Sequence, residues 1–247
     1  MESRQLVRES AGLREAAREL LGIDLSQRQL GAFSWYAAEL IAWNKRFNLT
    51  AITNPAEIEV KHFLDSLTCL LAMAPNPEGR LVDVGTGAGF PGLPIKIVCP
   101  QLQITLVEST GKKASFCRHV AQSLRLENVL VVHARAERMG HWEEHRQQFD
   151  WAVARAVAAM PVLVEYMLPL LRLGGRMIAQ RGESAAAELH SAEAALRLLG
   201  GHVERLIPVE LPRVVETRHL VVVDKVAATP DKYPRRPGIP AKRPLGS

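Results

Sequence analysis

The period of apolar positions changes near residue 80, and that change divides the chain. Before it, Leu6, Leu13, Ala17, Leu20 and Leu21 fall near one face of a helix, and Leu30, Phe33, Ala37, Leu40 and Ile41 repeat at the same spacing. Asn54-Pro55-Ala56-Glu57 has the form of a helix start: Asn54 can cap, Pro55 suits the first turn, and Glu57 can reach back. The helix that follows is expected to bury Ile58, Leu64, Leu67 and Leu71. From Arg80 onward short apolar runs take over: Arg80–Val84, Gln103–Glu108, Val129–His133 and Phe149–Ala154. Helical patterns lie between them, notably Lys112–Leu124 and Pro161–Leu171.

Strand alternating with helix predicts a parallel sheet with crossovers, covered on both faces. Gly174-Gly175 is expected to end a helix and open a strand over Arg176–Gln180. Val203–Val209 and His219–Val223 would complete the sheet's edge. The expected fold is α/β: a seven-stranded, mostly parallel sheet with helices on both faces and an N-terminal helical extension. Three regions follow from this: helical residues 1–75, a Rossmann-like domain over 76–226, and a tail over 227–247. The tail holds Pro230, Pro234, Pro237, Pro240 and Pro244 without an apolar period, so it is expected to be extended or draped over the body, with neither helix nor strand.

A chain of 247 residues, 47% hydrophobic, suffices for one good core. No apolar run approaches the roughly eighteen residues of a membrane span. Met1–Gly22 mixes Arg and Glu with Leu and Ala and lacks the apolar stretch of a secretory signal, so a cytoplasmic protein without membrane association is expected. Cys69, Cys99 and Cys117 form no CxxC pair and are expected to be buried packing, and no metal site is anticipated. Lys225, Lys232, Arg235, Arg236, Lys242 and Arg243 face one acid, Asp231, so the C-terminal end carries an excess equal to the whole formal charge of +5. That concentration points to a polyanion near the tail.

Leu81-Val-Asp-Val-Gly85-Thr-Gly87-Ala-Gly89-Phe-Pro-Gly92 follows a predicted strand and precedes a helix. Glycines there allow a sharp turn and close approach to a ligand. A GxGxxG match can be drawn from Gly87, which makes a nicotinamide-dependent oxidoreductase the rival of an S-adenosylmethionine (SAM) enzyme. Asp83 favours SAM: a carboxylate two residues before Gly85 suits the ammonium of a methionine moiety and sits awkwardly beside a pyrophosphate. Counted from Gly85, the third dinucleotide glycine would fall on Phe90, a bulky side chain. Glu108, ending the second strand, is placed to accept ribose hydroxyls, as either cofactor requires. Candidate cofactor contacts are thus Asp83, Gly85, Gly87, Gly89 and Glu108, with Arg135-Ala136-Glu137 near the adenine. The expected class is a Rossmann-like, class I SAM-dependent methyltransferase.

After the fourth strand stands Val153-Ala-Arg-Ala-Val157, without the Asn/Asp-Pro-Pro-aromatic cluster that grips exocyclic amines, and no cysteine lies at a strand end to attack a pyrimidine. An acceptor with its own lone pair, such as guanine N7, needs neither. Arg155 interrupts an apolar strand end and is the candidate for positioning the base or touching the cofactor, with no general base expected. His62, Asp65 and Ser66 share a helical face that could line an acceptor site or be merely solvated. Trp43-Asn-Lys-Arg-Phe47 interleaves aromatic and basic residues, a composition suited equally to RNA and to packing beside a solvated pair. A non-catalytic RNA-binding module is the third alternative.

Together Trp43–Thr50, His62–Ser66, Val82–Gly92, Gly111-Lys112-Lys113, Ala154–Ala156 and Lys232–Pro240 resemble the bacterial 16S ribosomal RNA (guanine-N7)-methyltransferases, the glucose-inhibited division protein B family. The resemblance spans nearly the whole chain. It implies methylation of a guanine in small-subunit ribosomal RNA near the decoding region. SAM would be contacted by Gly85, Phe90, Glu108, Ser109, Thr110, Ala136, Glu137 and Arg155. The partner it implies is 16S RNA or the small-subunit particle. With the basic and polar positions, the candidate RNA contacts are Lys45, Arg46, His62, Lys112, Lys113, Arg135, Arg181, Lys232, Arg235 and Arg236, on a protein expected to be a monomer.

Overall fold

The computed structural model describes residues 2–246, and of residues 2–11 only the helical path, so Leu6 lies outside the described side chains. Two long helices lead: α1 (Glu2–Leu21) and α2 (Gln27–Phe47). Ser26 and Gln29 form a reciprocal capping box at the start of α2, which ends with Asn48 in the left-handed region. Leu13, Ala17, Leu30, Phe33, Ala37 and Leu40 are buried as their spacing requires, and Tyr36, also on that face, is fully buried.

The segment after Asn54 is not one regular helix. Asn54 caps it, accepting from the N–H groups of Ala56 and Glu57, but Glu57 pairs forward with Lys61 rather than back with the cap. α3 (Pro55–Ile58) passes into a π-helix over Glu59–Leu64, then α4 (Asp65–Leu67), then a 3-10 turn over Thr68–Ala72.

Seven strands follow: β1 (Arg80–Val84), β2 (Gln103–Glu108), β3 (Val129–His133), β4 (Phe149–Arg155), β5 (Leu171–Arg181), β6 (Gly201–Val209) and β7 (Arg218–Lys225). They form one sheet of order β3-β2-β1-β4-β5-β7-β6, in which only β7 runs antiparallel to its neighbours. Helices α5 (Gly92–Val98), α6 (Gly111–Ser123), α7 (Ala136–Met139), α8 (Met160–Met167) and α9 (Ala185–Leu199) connect them.

The expected turn at Gly174-Gly175 needs correction. α8 ends at Met167, and both glycines lie inside β5, where pairing with β4 jumps from Phe149↔Leu171 to Trp151↔Arg176. The pair makes a bulge: a Cβ on Gly175 would meet the carbonyl oxygens of Phe149, Arg172 and Asp150 at 2.9–3.1 Å, too close for any side chain.

The sheet separates two apolar clusters. One joins α1, α2, the π-helix, α5 and α6 to the face bearing Leu81, Ile104, Leu106, Val153, Ile178 and Val222. The other joins α8 and α9 to Val82, Ala152, Met177 and Val221, and it includes Tyr233 from the C-terminal segment. The N-terminal helices are therefore one of the layers that cover the sheet.

The C-terminal segment takes one of its two expected courses, draped over the body, and departs from expectation only in forming a turn of helix. It lies against the body and closes with a helical turn, α10 (Ile239–Lys242). Lys225 is buried, with its ammonium donating to the carbonyl of Leu199 and to Thr229. Arg235 grips the fully buried Glu165 carboxylate through Nε and a terminal nitrogen at 2.9 and 2.7 Å. Of the six basic residues at this end, Lys232, Arg236, Lys242 and Arg243 are exposed. Among the described residues no helix is long and apolar enough to cross a membrane.

Candidate active site

Where strand order reverses, between β1 and β4, the loops at the carboxyl ends of the strands part and leave a crevice. The glycine loop lies there. Gly85, Gly87 and Gly89 have φ of +69°, +61° and +96°, which disfavour side-chain-bearing residues. At Gly85 a Cβ would also press on Val157, at 2.7 Å from its nearest methyl. The loop is tied to β2 through the N–H groups of Gly85 and Thr86, which both donate to the Val107 carbonyl.

Asp83 lies wholly buried beneath this loop. Its Oδ2 accepts from the Thr86 hydroxyl at 2.6 Å and from the Gly92 N–H at 2.8 Å, while Oδ1 has no partner. Burial raises its pKa to about 7 against the lowering effect of those two bonds. A buried carboxylate oxygen without a donor fits the methionine ammonium of SAM. Glu108 spans the loop from the other side: Oε2 accepts from Gly87 N–H at 2.9 Å and Oε1 from Thr110 N–H at 2.7 Å. Its remaining lone pairs stand at the end of β2, where a ribose would lie.

A cleft of about 250 Å³ opens beside them, lined by Gly85, Ser109, Arg135, Ala136 and Glu137 from the expected set. Val157, Ala158, Tyr166 and Ala241 also line it. Glu137 is buried, and its Oε1 accepts the Gly238 N–H at 3.0 Å. Gly89 and Phe90 lie on the far side of the loop. Phe90 stacks between Tyr36 and His62, at centroid distances of 5.4 and 4.5 Å, and the Tyr36 hydroxyl donates to the Ala88 carbonyl.

A second pocket, of about 330 Å³, adjoins the end of β4. Arg155 lines it with Lys61, His62, Asp65, Gln180 and Arg218. The Arg155 guanidinium donates to Asp65 Oδ2 at 2.7 Å and to the Lys61 carbonyl at 3.1 Å, and lies 5.1 Å from the Phe90 ring centre. Its other terminal nitrogen stands 3.4 Å from His62 Nδ1, and His62 Nε2 meets the Thr50 hydroxyl at 2.8 Å. Burial and the adjacent guanidinium lower the His62 pKa to about 3, so the imidazole is neutral. With Arg155 donating to Nδ1, the ring proton resides on Nε2.

The candidate RNA contacts divide. Arg46 and Lys112 converge on the Phe47 ring, with charges 5.3 and 5.5 Å from its centre, and Lys45 is exposed beside them. Trp43 packs inward on His119 and Phe116. Lys113 is half-buried, and Arg135, Lys232 and Arg236 are exposed. Arg181 lines the second pocket, while Arg235 points into the body of the protein. Arg181 is held in the structure by the Ala158 carbonyl and by Glu188, and Arg235 by Glu165. Sequence reasoning missed Tyr36, Gln180 and Ala241. It also passed over Glu165, the only acid in α8, whose isolation among apolar residues signals a buried partner.

Five parallel strands in order 3-2-1-4-5, an antiparallel β7 beside β5, a glycine loop after β1 and an acid closing β2 define a class I SAM-dependent methyltransferase. Solved structures share the fold. The [4+2]-cyclase SpnF superposes with a TM-score of 0.56 over 81% of this chain and 97% of its own, at 16% identity. A geranyl diphosphate methyltransferase in complex with SAM gives 0.52 over 66% and 85%, at 13%.

Sequence relatives narrow the class. The chain belongs to the rRNA small subunit methyltransferase G family (GidB), whose profile matches residues 29–221. Ribosomal RNA small subunit methyltransferase G of Roseiflexus castenholzii is 54% identical, over 91% of this chain and 95% of its own. That of Alkaliphilus metalliredigens is 45% identical, over 94% and 97%. The chain is a SAM-dependent methyltransferase of ribosomal RNA.

Proposed function

We propose that the acceptor atom is N7 of a guanine in 16S ribosomal RNA near the decoding region, held in the pocket lined by Arg155, His62, Asp65 and Gln180. The observation that carries this is the protonation state of the groups there. His62 is neutral with a depressed pKa, and Arg155 is paired with the Asp65 carboxylate. Burial raises the thiol pKa of Cys69 and Cys117 well above its ordinary value and that of Cys99 to about 11, so none supplies the thiolate that attack on a pyrimidine ring needs. An acceptor with a free in-plane lone pair requires neither base nor nucleophile, and N7 is such an atom.

Bound SAM supplies an electrophilic methyl group on its sulfonium. The chain's own residues hold and orient. Asp83 Oδ1 takes the ammonium, Glu108 the ribose hydroxyls, and Ser109, Ala136 and Glu137 frame the adenine. Arg155, braced by Asp65 and the π-helix carbonyls, presents its guanidinium to the oxygen at position 6 of the base. Arg46, Phe47 and Lys112 form a cationic, aromatic platform that holds RNA outside the crevice, in keeping with stacking and phosphate contact. The protein works in the cytoplasm as a monomer, on free RNA or on the small-subunit particle.

The test is nucleoside mass spectrometry of 16S RNA, naked and in small subunits, after incubation with purified protein and labelled SAM. Label in 7-methylguanosine is expected. Label in a pyrimidine or an exocyclic-amine product would overturn the reading.

A further inference from the structure

Two of the six basic residues of the C-terminal segment, Lys225 and Arg235, are occupied with the body of the protein, and α10 borders the cofactor cleft. We propose that residues 238–241 are part of the cofactor site and form the wall on which the nucleoside end of SAM rests. The inference depends on the cofactor placement given above.

The segment is anchored immediately ahead of that wall and at its first residue. The Arg235 side chain and its own N–H hold Glu165, the N–H at 2.8 Å from Oε1. His141 Nε2 lies 2.6 Å from the Pro234 carbonyl, and Arg146 donates to the Tyr233 carbonyl at 2.7 Å. The last anchor is the Gly238 N–H on Glu137, which stands in the first turn of α7 and lines the cleft. A solvating tail would need none of these bonds. Ala241 borders the cleft together with Ser109, Ala136 and Val157, yet it is exposed. An exposed side chain on the rim of a cleft contributes little to folding and directly to what fits inside.

This geometry also revises the division of labour that the charge pattern suggests. Removal of the tail would be expected to weaken RNA binding alone if the tail were only a cationic arm. A tail that walls the cleft makes cofactor affinity depend on it as well.

The test is calorimetric titration of the full chain with S-adenosylhomocysteine. Ala241→Trp should weaken binding by roughly tenfold or more, while the melting temperature and the affinity for 16S RNA stay at their wild-type values. Binding within about twofold of wild type overturns the proposal. A second readout needs no variant. The Gly238, Lys242 and Arg243 amides, bonded to Glu137, Gly238 and Ile239, should exchange with solvent about fivefold more slowly when the cofactor is bound. Unchanged exchange overturns the proposal. Asp83→Asn separates the two readings: wild-type affinity in that variant would remove the cofactor from this cleft and both readings with it. Its loss alongside an unaffected Ala241→Trp would remove only the wall.

Discussion

At Asp83 the fold buries a carboxylate with one oxygen bonded and the other bare, and the cost is visible in a pKa raised to about 7. Because the folded value lies above the unfolded 3.8, the native state binds the extra proton, and stability falls as pH rises from about 4 to 7. On the cofactor placement proposed above, ligand binding runs the other way, since the ammonium of SAM would need the carboxylate ionised. Affinity for SAM should therefore rise about fivefold or more between pH 5.5 and 7, below the range where the ligand's own amine titrates. Asp83→Asn should flatten that profile, weaken binding throughout, and raise the melting temperature of the ligand-free protein above pH 7. A steep profile in the variant would assign the titration elsewhere. His62 has the opposite sign. Its folded pKa, about 3, lies below the ordinary 6.5, so its contribution to stability is present above pH 6.5 and is lost as pH falls toward 3.

Among the elements, α2 acts on the glycine loop from below. Tyr36 donates to the Ala88 carbonyl and stacks on Phe90. Tyr36→Phe keeps the stack and leaves a buried carbonyl without its donor, at about 1–3 kcal/mol. The expected result is a SAM dissociation constant raised several-fold at unchanged kcat. A change in kcat alone would mean that the contact serves the acceptor side. The π-helix has a comparable role: its wider turn frees the Lys61 and His62 carbonyls toward Arg155, at 3.1 and 3.5 Å. Strands β1, β2 and β3 were legible in the sequence to the residue, β1 and β2 because buried parallel strands are continuous apolar runs, and β3, a half-buried edge strand, through its β-branched run. Asp83, the glycines and Glu108 were legible for the same local reason. The π-helix was not, because its heptad-like apolar spacing matches that of an ordinary helix. Nor was the Gly174-Gly175 bulge, since paired glycines mark a turn and a bulge alike. The roles of Tyr36 and Ala241 depend on partners 52 residues away or more, which no local pattern carries.

Across the whole molecule, the ion pair of Arg235 with the fully buried Glu165 is one of the bonds that hold the tail. Arg235→Ala would leave Glu165 charged and buried, at about 3–5 kcal/mol, reduced by the water that reaches the 24% exposed arginine side chain. A clear fall in melting temperature is expected, with much of it recovered in the double variant Arg235→Met, Glu165→Met, which removes the stranded charge with its partner. No recovery would show that the pair does more than neutralise itself. The sheet separates two apolar layers; α2 props the glycine loop from one, and the C-terminal segment stands over the cleft from the other. A molecule seated between them would touch elements of both layers. A transient opening on either face would then vacate the seat, and occupancy would in turn suppress breathing in both layers at once.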